Sequence, residues 1–526
     1  MATNVVNLDG LIPRDDFDID ASKGGDFNRG DRLKITDLEP KAFMYTALRK
    51  PNFQRETANW SPGKIQDFIQ TFLDGDLVPA IILWGAGETV FVIDGAHRLS
   101  ALIAWVQDDY GDKDKSRAHF QNEIPPEQSR ATKRTRELID STIGSYIDHV
   151  KAIASPDTAK PDVLIRAKRL GSLSLQLQWV LNATPKKAED SFFKINQAAT
   201  PIDQTELRIL KARRSANAIA SRVITRNATG HKYWASFEEG KGQIEEIGKE
   251  TYRLLFHPPI ETPIKTLDLP VAGRGYSSQT LPLIFETVNL ANGIPVVDMT
   301  KKRKVEDEPP PEDKDGSVTL DYLRNTRRVV QRITGTHQSS LGLHPAVYFY
   351  SATGRHQPTS FLAIIELMME MEREKGFDDF TKIRRKLEDF LLANKSFANQ
   401  VTVKIGSGPK GYLPLKTLYK LIIDNLTDGK SDEEILALLA ETTAFRFLTP
   451  DDGITPTTSK RFSRETKSAT FLKEALQSAI RCKICGGFLH FNSISIDHII
   501  RKADGGLGVA DNAQLSHPYC NSTFKN

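Results

Sequence analysis

The chain has 526 residues, of which 39% are hydrophobic and 26% charged, and its formal net charge is +4. These values are typical of a soluble globular protein, and the length predicts about two to four domains. No apolar run is long enough to cross a bilayer, and the first residues lack the charged and apolar regions of a signal peptide, so we expect no membrane segment and a cytoplasmic location. The small net charge is compatible with nucleic-acid binding, because basic groups need only cluster locally.

The first part of the chain predicts an arm followed by mixed secondary structure. Residues 1–44 are polar and rich in glycine and aspartate, without a clear period, and we expect an N-terminal arm there. Ser61 and Pro62 then mark the start of a helix, because apolar residues recur after them at helical spacing. Two short apolar strands, 80–84 and 90–93, flank a glycine-containing turn and predict a hairpin.

A strand, a turn and a helix follow one another at Asp94-Gly95-Ala96-His97-Arg98. This order places the backbone amides of the turn and the Arg98 guanidinium at a helix N-terminus, which is a ready anion site. The alternative is a turn in which Arg98 only pairs with a carboxylate.

This segment resembles the DGQQR motif of the ParB/sulfiredoxin-like domains of GmrSD-type modification-dependent restriction proteins, over residues 45–215. In that family the motif region binds a nucleoside triphosphate (NTP), and some members hydrolyse it. Ala96 and His97 stand where the family has two glutamines, a change that affects hydrolysis more than binding. The resemblance implies an NTP site made by Gln54, Arg55, Asp94, Gly95, His97, Arg98 and Asn196.

The middle of the chain carries helical periods without a recognisable motif. One long, arginine-rich helix is expected from Asp203 to Arg226, whose arginines either follow a phosphate backbone or face solvent. Residues 227–465 predict a mostly helical connector or sensor. Within them, residues 300–316 are expected to form a charged surface loop rather than a nuclear localisation signal. The aromatic segment 343–350 either stacks on a nucleic-acid base or is buried.

The C-terminal segment holds all three cysteines of the chain. Cys482 and Cys485 form a CxxC pair, and His517 and Cys520 form an HxxC pair. A two-residue gap lets a tight turn present both side chains to one ion, and two such turns complete a tetrahedron. The spacing therefore predicts a closed, structural Zn²⁺ site that holds together a module too small to build its own core. The alternative is an unmetallated redox pair in a reducing cytoplasm.

Between the two ligand pairs lie Asp497-His498, a Gly-Gly turn and Asn512, and Asn521 follows the last cysteine. This order resembles the HNH endonuclease family, which has a ββα-metal fold. The resemblance implies that His498 is the general base that activates water and that Asn512 braces the loop carrying it. It also implies that Asp497 and Asn521 hold a catalytic Mg²⁺ or Mn²⁺ ion. His517 stands where cysteine is usual in the family. The alternative is a zinc knuckle that binds DNA without cutting it.

Together these features predict an α+β, multidomain protein. The expected parts are an arm (1–44), a ParB/sulfiredoxin-like NTP-binding domain (45–226), a helical middle (227–465) and an HNH nuclease domain (466–526). The expected function is NTP-regulated, metal-dependent cleavage of double-stranded DNA in the restriction of foreign, phage or modified DNA. Two alternatives remain: an NTP-switched DNA-binding protein with a non-cleaving zinc module, and an NTPase that regulates a partner nuclease. A homo-oligomer and a partner protein of a defence system are both compatible with the sequence.

Overall fold

The computed structural model describes residues 5–15, 30–54, 56–181, 183–198, 204–296, 310–451, 453–454 and 459–525, without the side chains of residues 196–198 and 204. The chain divides into two compact units. Unit 1 comprises residues 1–214, 229–233 and 276–279, and unit 2 comprises residues 215–228, 234–275 and 280–526. Unit 1 is built on a mixed sheet and unit 2 is mostly helical, so the expected α+β, multidomain class is confirmed.

Unit 1 alternates strands and helices. Its strands are β1 (Arg14–Asp15), β2 (Arg32–Lys34), β3 (Leu48–Pro51), β4 (Ile81–Ala86), β5 (Thr89–Asp94) and β6 (Ser174–Trp179). Its helices are α1 (Phe43–Ala47), α2 (Pro62–Asp74), α3 (Ala96–Gln107), α4 (Asp114–His119), α5 (Pro126–Thr142), α6 (Tyr146–Ala154), α7 (Pro161–Leu170), α8 (Pro185–Ala198) and α9 (Gln204–Lys211).

The described strands of unit 1 form a sheet in the order β1-β3-β5-β4-β6-β2. The β4–β5 hairpin is antiparallel, whereas β3 runs parallel to β5 and β6 runs parallel to β4. Strand β5 shows why helices cover both faces of the sheet. Val92 packs into one apolar cluster with α2 and α3, while Phe91 and Ile93 pack into another with α8. This alternation follows from the two-residue period of a strand.

Unit 2 contains eleven further helices and two strands within its described residues. The helices are α10 (Ala216–Thr225), α11 (Lys241–Phe256), α12 (Thr280–Ala291), α13 (Ser317–Ile333), α14 (Pro345–Tyr348), α15 (Pro358–Glu374), α16 (Phe377–Ala393), α17 (Phe397–Ile405), α18 (Tyr412–Thr427), α19 (Asp432–Glu441) and α20 (Arg464–Gln477). The antiparallel strands β7 (Ser495–His498) and β8 (Ala513–Ser516) follow, and a π-helical turn spans Cys520–Phe524. No helix in the described part of the chain is long and apolar enough to cross a membrane.

Two stretches of the sequence with a helical pattern, residues 132–154 and 203–226, are each divided in the structure. The helical pattern around residues 132–154 is interrupted where Gly144 takes a left-handed conformation, and Ser145 then caps α6 by accepting a hydrogen bond from the Asp148 amide. The arginine-rich helix expected from Asp203 to Arg226 ends as α9 and restarts as α10. Its arginines are engaged internally, since Arg222 is buried and Arg213 pairs with Glu189.

The sequence predictions for two segments of the middle region compare differently with the structure, because one segment is fully described and the other is not. In the aromatic segment 343–350, Tyr348, Phe349 and Tyr350 are buried, so the structure shows the buried alternative rather than an exposed base-stacking surface. Residues 300–309 of the charged segment lie outside the described residues.

Residues 5–15, expected to belong to an arm, contribute to the core of unit 1. Asp9 is buried and binds two buried cations, with its Oδ1 at 2.8 Å from Arg14 Nη2 and 2.7 Å from Lys50 Nζ. Burial alone would raise the pKa of Asp9, but the charges of Arg14, Lys50 and His119 hold it well below its usual value. The cluster therefore ties β1 and β3 to the first residues of the chain.

We predict that Asp9→Asn lowers the stability of unit 1 by about 3–5 kcal/mol, because it leaves two buried cations without their anion. Because the pKa of Asp9 is lowered in the folded protein, the direction in which stability changes with pH can be predicted. The stabilisation is complete above the unfolded carboxyl pKa near 4 and is lost as pH falls toward the lower folded value. Thermal unfolding measured at several pH values checks both statements. Asp15→Asn, at an exposed carboxylate of β1, is the control, and an equal loss in both variants would contradict the prediction.

Candidate functional site

The four predicted zinc ligands lie together in unit 2. Cys482, Cys485, His517 and Cys520 are all buried, and one ligand atom of each lies within 4.8 Å of those of the other three. The backbone amides of Ile484 and Gly487 point at the sulfurs of Cys482 and Cys485, each at 3.4 Å. Amide donors aimed at sulfur favour thiolates, which are the form that binds a metal. The donor set fits a closed tetrahedral zinc site.

The orientation of His517 is fixed by its backbone partner. Its Nε2–H donates to the carbonyl of Phe488 at 3.0 Å, which leaves Nδ1 facing the sulfurs of Cys485 at 3.4 Å and Cys520 at 3.8 Å. Burial and the nearby Arg384 charge lower the pKa of His517, so the ring is kept neutral. A neutral imidazole with one nitrogen engaged by a carbonyl presents the other as a metal ligand.

A buried ion pair on α16 lies directly against this cluster. Arg384 and Glu388 have side chains 1% and 0% exposed, and their Nε and Oε1 atoms are 2.8 Å apart. Arg384 also donates to the carbonyls of Leu341 and Gly342, and its Nη1 is 3.3 Å from His517 Nδ1.

Glu388 in turn accepts a 2.6 Å hydrogen bond from the Phe488 amide of the zinc hairpin, defined here as residues 481–488. The pair therefore joins α16 to this hairpin. The hairpin approaches closely, because a Cβ on Gly487 would lie 2.5 Å from Arg384 Nε. No motif in the sequence marked Arg384 or Glu388.

The predicted catalytic residues gather around the β7–β8 pair. Asp497 lies opposite Gln514 and His498 opposite Ala513. Asp497 is buried, and its Oδ2 accepts hydrogen bonds from Gln514 at 2.6 Å and from Lys525 at 2.7 Å. His498 is partly exposed at the end of β7, so substrate can reach it.

The two predicted asparagines both bind backbone near His498. Asn512 accepts a hydrogen bond from the Ile500 amide at 2.7 Å and donates to the Ile500 and Leu507 carbonyls. It thus holds the loop that follows His498. Asn521 donates to the Ser495 hydroxyl at 2.7 Å and to the Ile496 carbonyl at 3.2 Å, which places it beside β7.

Lys525 marks a position for a cation that the sequence did not indicate. Its ammonium donates to Asp497 Oδ2, to the carbonyl of His498 and, at 3.4 Å, to the carbonyl of Ile499. Three oxygens around one positive charge form an environment that also suits an oxygen-preferring divalent ion. A lysine four residues after Asn521 is the one signal that could have found it.

The predicted NTP motif of unit 1 lies at the corner between β5 and α3. Gly95 has a left-handed backbone and begins α3. Arg98 donates to Asp94 Oδ2 at 2.5 Å and to the Pro79 carbonyl at 2.6 Å. Arg98 therefore makes the carboxylate pair that was the alternative to anion binding.

The other residues predicted for the NTP site are placed in part. The Gln54 amide donates to the Val92 and Ile93 carbonyls at 2.5 and 3.0 Å, just before Asp94. Its buried Oε1 has no hydrogen-bond partner among the described residues. The His97 ring stacks on Trp60 at a centroid distance of 5.7 Å. Arg55 and the side chain of Asn196 lie outside the described residues.

Comparison with known families matches two parts of the chain. Residues 39–213 match the model of the GmrSD restriction endonuclease N-terminal domain, and residues 482–526 match that of the HNH endonuclease. Searches of curated proteins and of solved structures give no match. The two matched regions contain the β5–α3 corner and the zinc and β7–β8 sites, respectively. The chain thus combines a region similar to the N-terminal domain of the GmrSD restriction endonucleases with a C-terminal region similar to the HNH endonucleases, and this pairing supports a restriction-type HNH endonuclease.

Proposed function

We propose that the protein is a cytoplasmic, metal-dependent HNH endonuclease that cleaves double-stranded foreign DNA, including phage or modified DNA, under the control of an NTP bound by unit 1. The observation that carries the proposal is the grouping of Asp497, His498, Asn512 and Asn521 around β7 and β8 next to a Cys3His cluster. A knuckle that only clamped DNA would have no use for this polar group.

His498 is the general base in this proposal. It is accessible at the strand end, and the Asn512 hydrogen bonds to the following loop hold its backbone in place. A neutral imidazole can accept a proton from an attacking water as a general base. The proton would be taken as the water oxygen attacks the scissile phosphorus.

Asp497 and Asn521 would hold a Mg²⁺ or Mn²⁺ ion, which supplies neutralisation of the charge that develops on the phosphate. The Lys525 ammonium supports this assignment, because it shows that Asp497 Oδ2 and two neighbouring carbonyls attract a cation. A divalent ion at Asp497 requires Lys525 to move away from this oxygen, and the freed ammonium could then contact a DNA phosphate.

The Cys3His cluster would bind structural zinc. The four ligands leave no open coordination position, so zinc acts on folding rather than on chemistry. It would fix the start of the zinc hairpin and the π-helical turn at Cys520–Phe524, and Asn521 lies in that turn.

The NTP would bind at the β5–α3 corner. Asp94, His97 and Arg98 are brought together there, and Gln54 lies behind the same strand end. An NTP phosphate would take the place of Asp94 as the acceptor of Arg98. Asp94, once released, could bind the accompanying magnesium.

The first prediction of this proposal concerns zinc. Purified protein should contain about one zinc per chain, and Cys485→Ser should lower that content and the thermal stability of the C-terminal segment, since metal binding supplies its folding energy. Elemental analysis and thermal unfolding measure the two effects. Less than about half an equivalent of zinc in the wild-type protein would contradict the site.

The second prediction concerns cleavage. His498→Ala should reduce magnesium-dependent plasmid cleavage by about a hundredfold or more, the usual contribution of a general base, while zinc content and DNA binding stay unchanged. Asn521→Ala should also lose activity but regain part of it at high Mn²⁺. His337→Ala, at an exposed histidine of the same unit, is the matched control. Full activity in His498→Ala would place the base elsewhere.

The third prediction concerns the nucleotide. Arg98→Ala should weaken NTP binding by at least about tenfold, and Arg98→Lys should restore it only in part, because lysine lacks the two-bond fork. Calorimetry with ATP, GTP, CTP and UTP, with and without DNA, measures the affinity, and Arg130→Ala on the exposed side of α5 is the control. Absence of binding by all four nucleotides would leave unit 1 as a DNA-reading module.

A further inference from the structure

Unit 2 contains a cavity of about 370 Å³ that none of the sites above uses. Leu392 at the end of α16, Leu472 and Leu476 on α20, and Phe488 of the zinc hairpin form its apolar walls. Its lining cations are Lys395, Lys473 and Arg481, and no aspartate or glutamate is among the described residues that line it. The cavity is therefore apolar and positively charged.

Lys395, which is partly buried, differs from two fully buried cations of the described chain. Lys50 binds Asp9, and Arg384 binds Glu388. The Lys395 ammonium instead donates to the carbonyl of Val347, and no carboxylate lies within ion-pair distance of it among the described residues. An ammonium held in apolar surroundings without an anion is unfavourable. Accordingly, burial lowers the pKa of Lys395 to about 7.

Arg481 is not available to bind a second anion. Its guanidinium lies 3.6 Å from the centroid of the Phe488 ring and is 2.6 Å from Asp389 Oδ1. Its charge is thus already paired. Lys473 is exposed to solvent, so Lys395 is the lining cation that can bind an anionic group inside the cavity.

We propose that this cavity binds a small amphipathic anion, with a carboxylate or phosphomonoester on Lys395 and a ring-sized apolar body against the leucines and Phe488. The volume is at the lower end of the range of small-molecule sites, which suits a compound of one or two rings. The ligand is neither the DNA nor the NTP of the proposed function, and the inference does not depend on that function.

Occupation of the cavity has a structural consequence for the zinc module. Its walls come from α16, α20 and the hairpin that carries Cys482 and Cys485. A ligand that contacts all three stabilises their packing by mass action, since it binds only the folded arrangement. A ligand in this site could therefore regulate the stability of the packing of the zinc hairpin against α16 and α20.

The test is calorimetry on the full chain with 1-naphthyl phosphate and 2-naphthoate as probes. Inorganic phosphate is the probe that lacks the apolar body, and 2-naphthylmethanol is the probe that lacks the anionic group. We expect both naphthyl anions to bind, and Lys395→Met to weaken them by roughly tenfold or more, the usual effect of losing a hydrogen bond to a charged group. Ala352→Trp, which fills the cavity from a partly exposed wall position, should do the same.

The matched control is Lys386→Met, which removes an exposed lysine of α16 and should leave the affinity unchanged. Thermal unfolding of each variant shows that it is folded. A higher affinity for one naphthyl anion identifies the head group and supports the site. The proposal is overturned if neither anion binds the wild-type protein, if Lys395→Met binds them equally well, or if inorganic phosphate binds as tightly as naphthyl phosphate.

Discussion

The buried pair of Arg384 and Glu388 is the contact on which the arrangement of unit 2 depends. Both side chains are removed from water, at a cost that their mutual attraction alone does not repay. The balance is restored by further hydrogen bonds: Arg384 donates to two carbonyls, and Glu388 accepts from the Phe488 amide and from the Tyr348 hydroxyl. These partners come from separate segments of the chain, so the pair fixes the positions of these segments relative to one another.

The same pair also bears on the charge of the metal cluster. A zinc ion bound by three thiolates and one neutral histidine would carry one net negative charge. Arg384 Nη1 lies 3.3 Å from the ligand nitrogen of His517, so a positive charge is already in place to balance it. With zinc bound, the zinc hairpin would be held against α16 electrostatically as well as by packing. This explains how about forty-five residues with a small apolar cluster can hold a defined geometry.

The candidate residues of the two matched regions could be located from local sequence, but the residues that support them could not. The CxxC and HxxC pairs and Asp497-His498 are recognisable because their spacing is short and the chemistry fixes the residue types. Arg384, Glu388 and Lys525 carry no such pattern, since their partners are defined only by the tertiary fold.

Local sequence also failed where polar residues are buried by distant contacts. Residues 5–15 look like an arm because Asp9 and Arg14 are polar, yet each neutralises the other within the core. The predicted Arg98 corner was located correctly as a turn between strand and helix. The pairing of Arg98 with Asp94 depends on side-chain conformation, which local sequence does not determine.

The C-terminal segment with the metal cluster lies far along the chain from α16, which supports it, and this separation has a consequence for biosynthesis. Glu388 meets the Phe488 amide one hundred residues further on, and Arg384 meets His517 at a separation of 133 residues. Because chains fold progressively during translation, α16 leaves the ribosome well before these two C-terminal partners. A nascent chain that has been synthesised only as far as α16 contains none of the residues proposed to cut DNA. The nuclease can therefore become active only after the helix that supports it has been made.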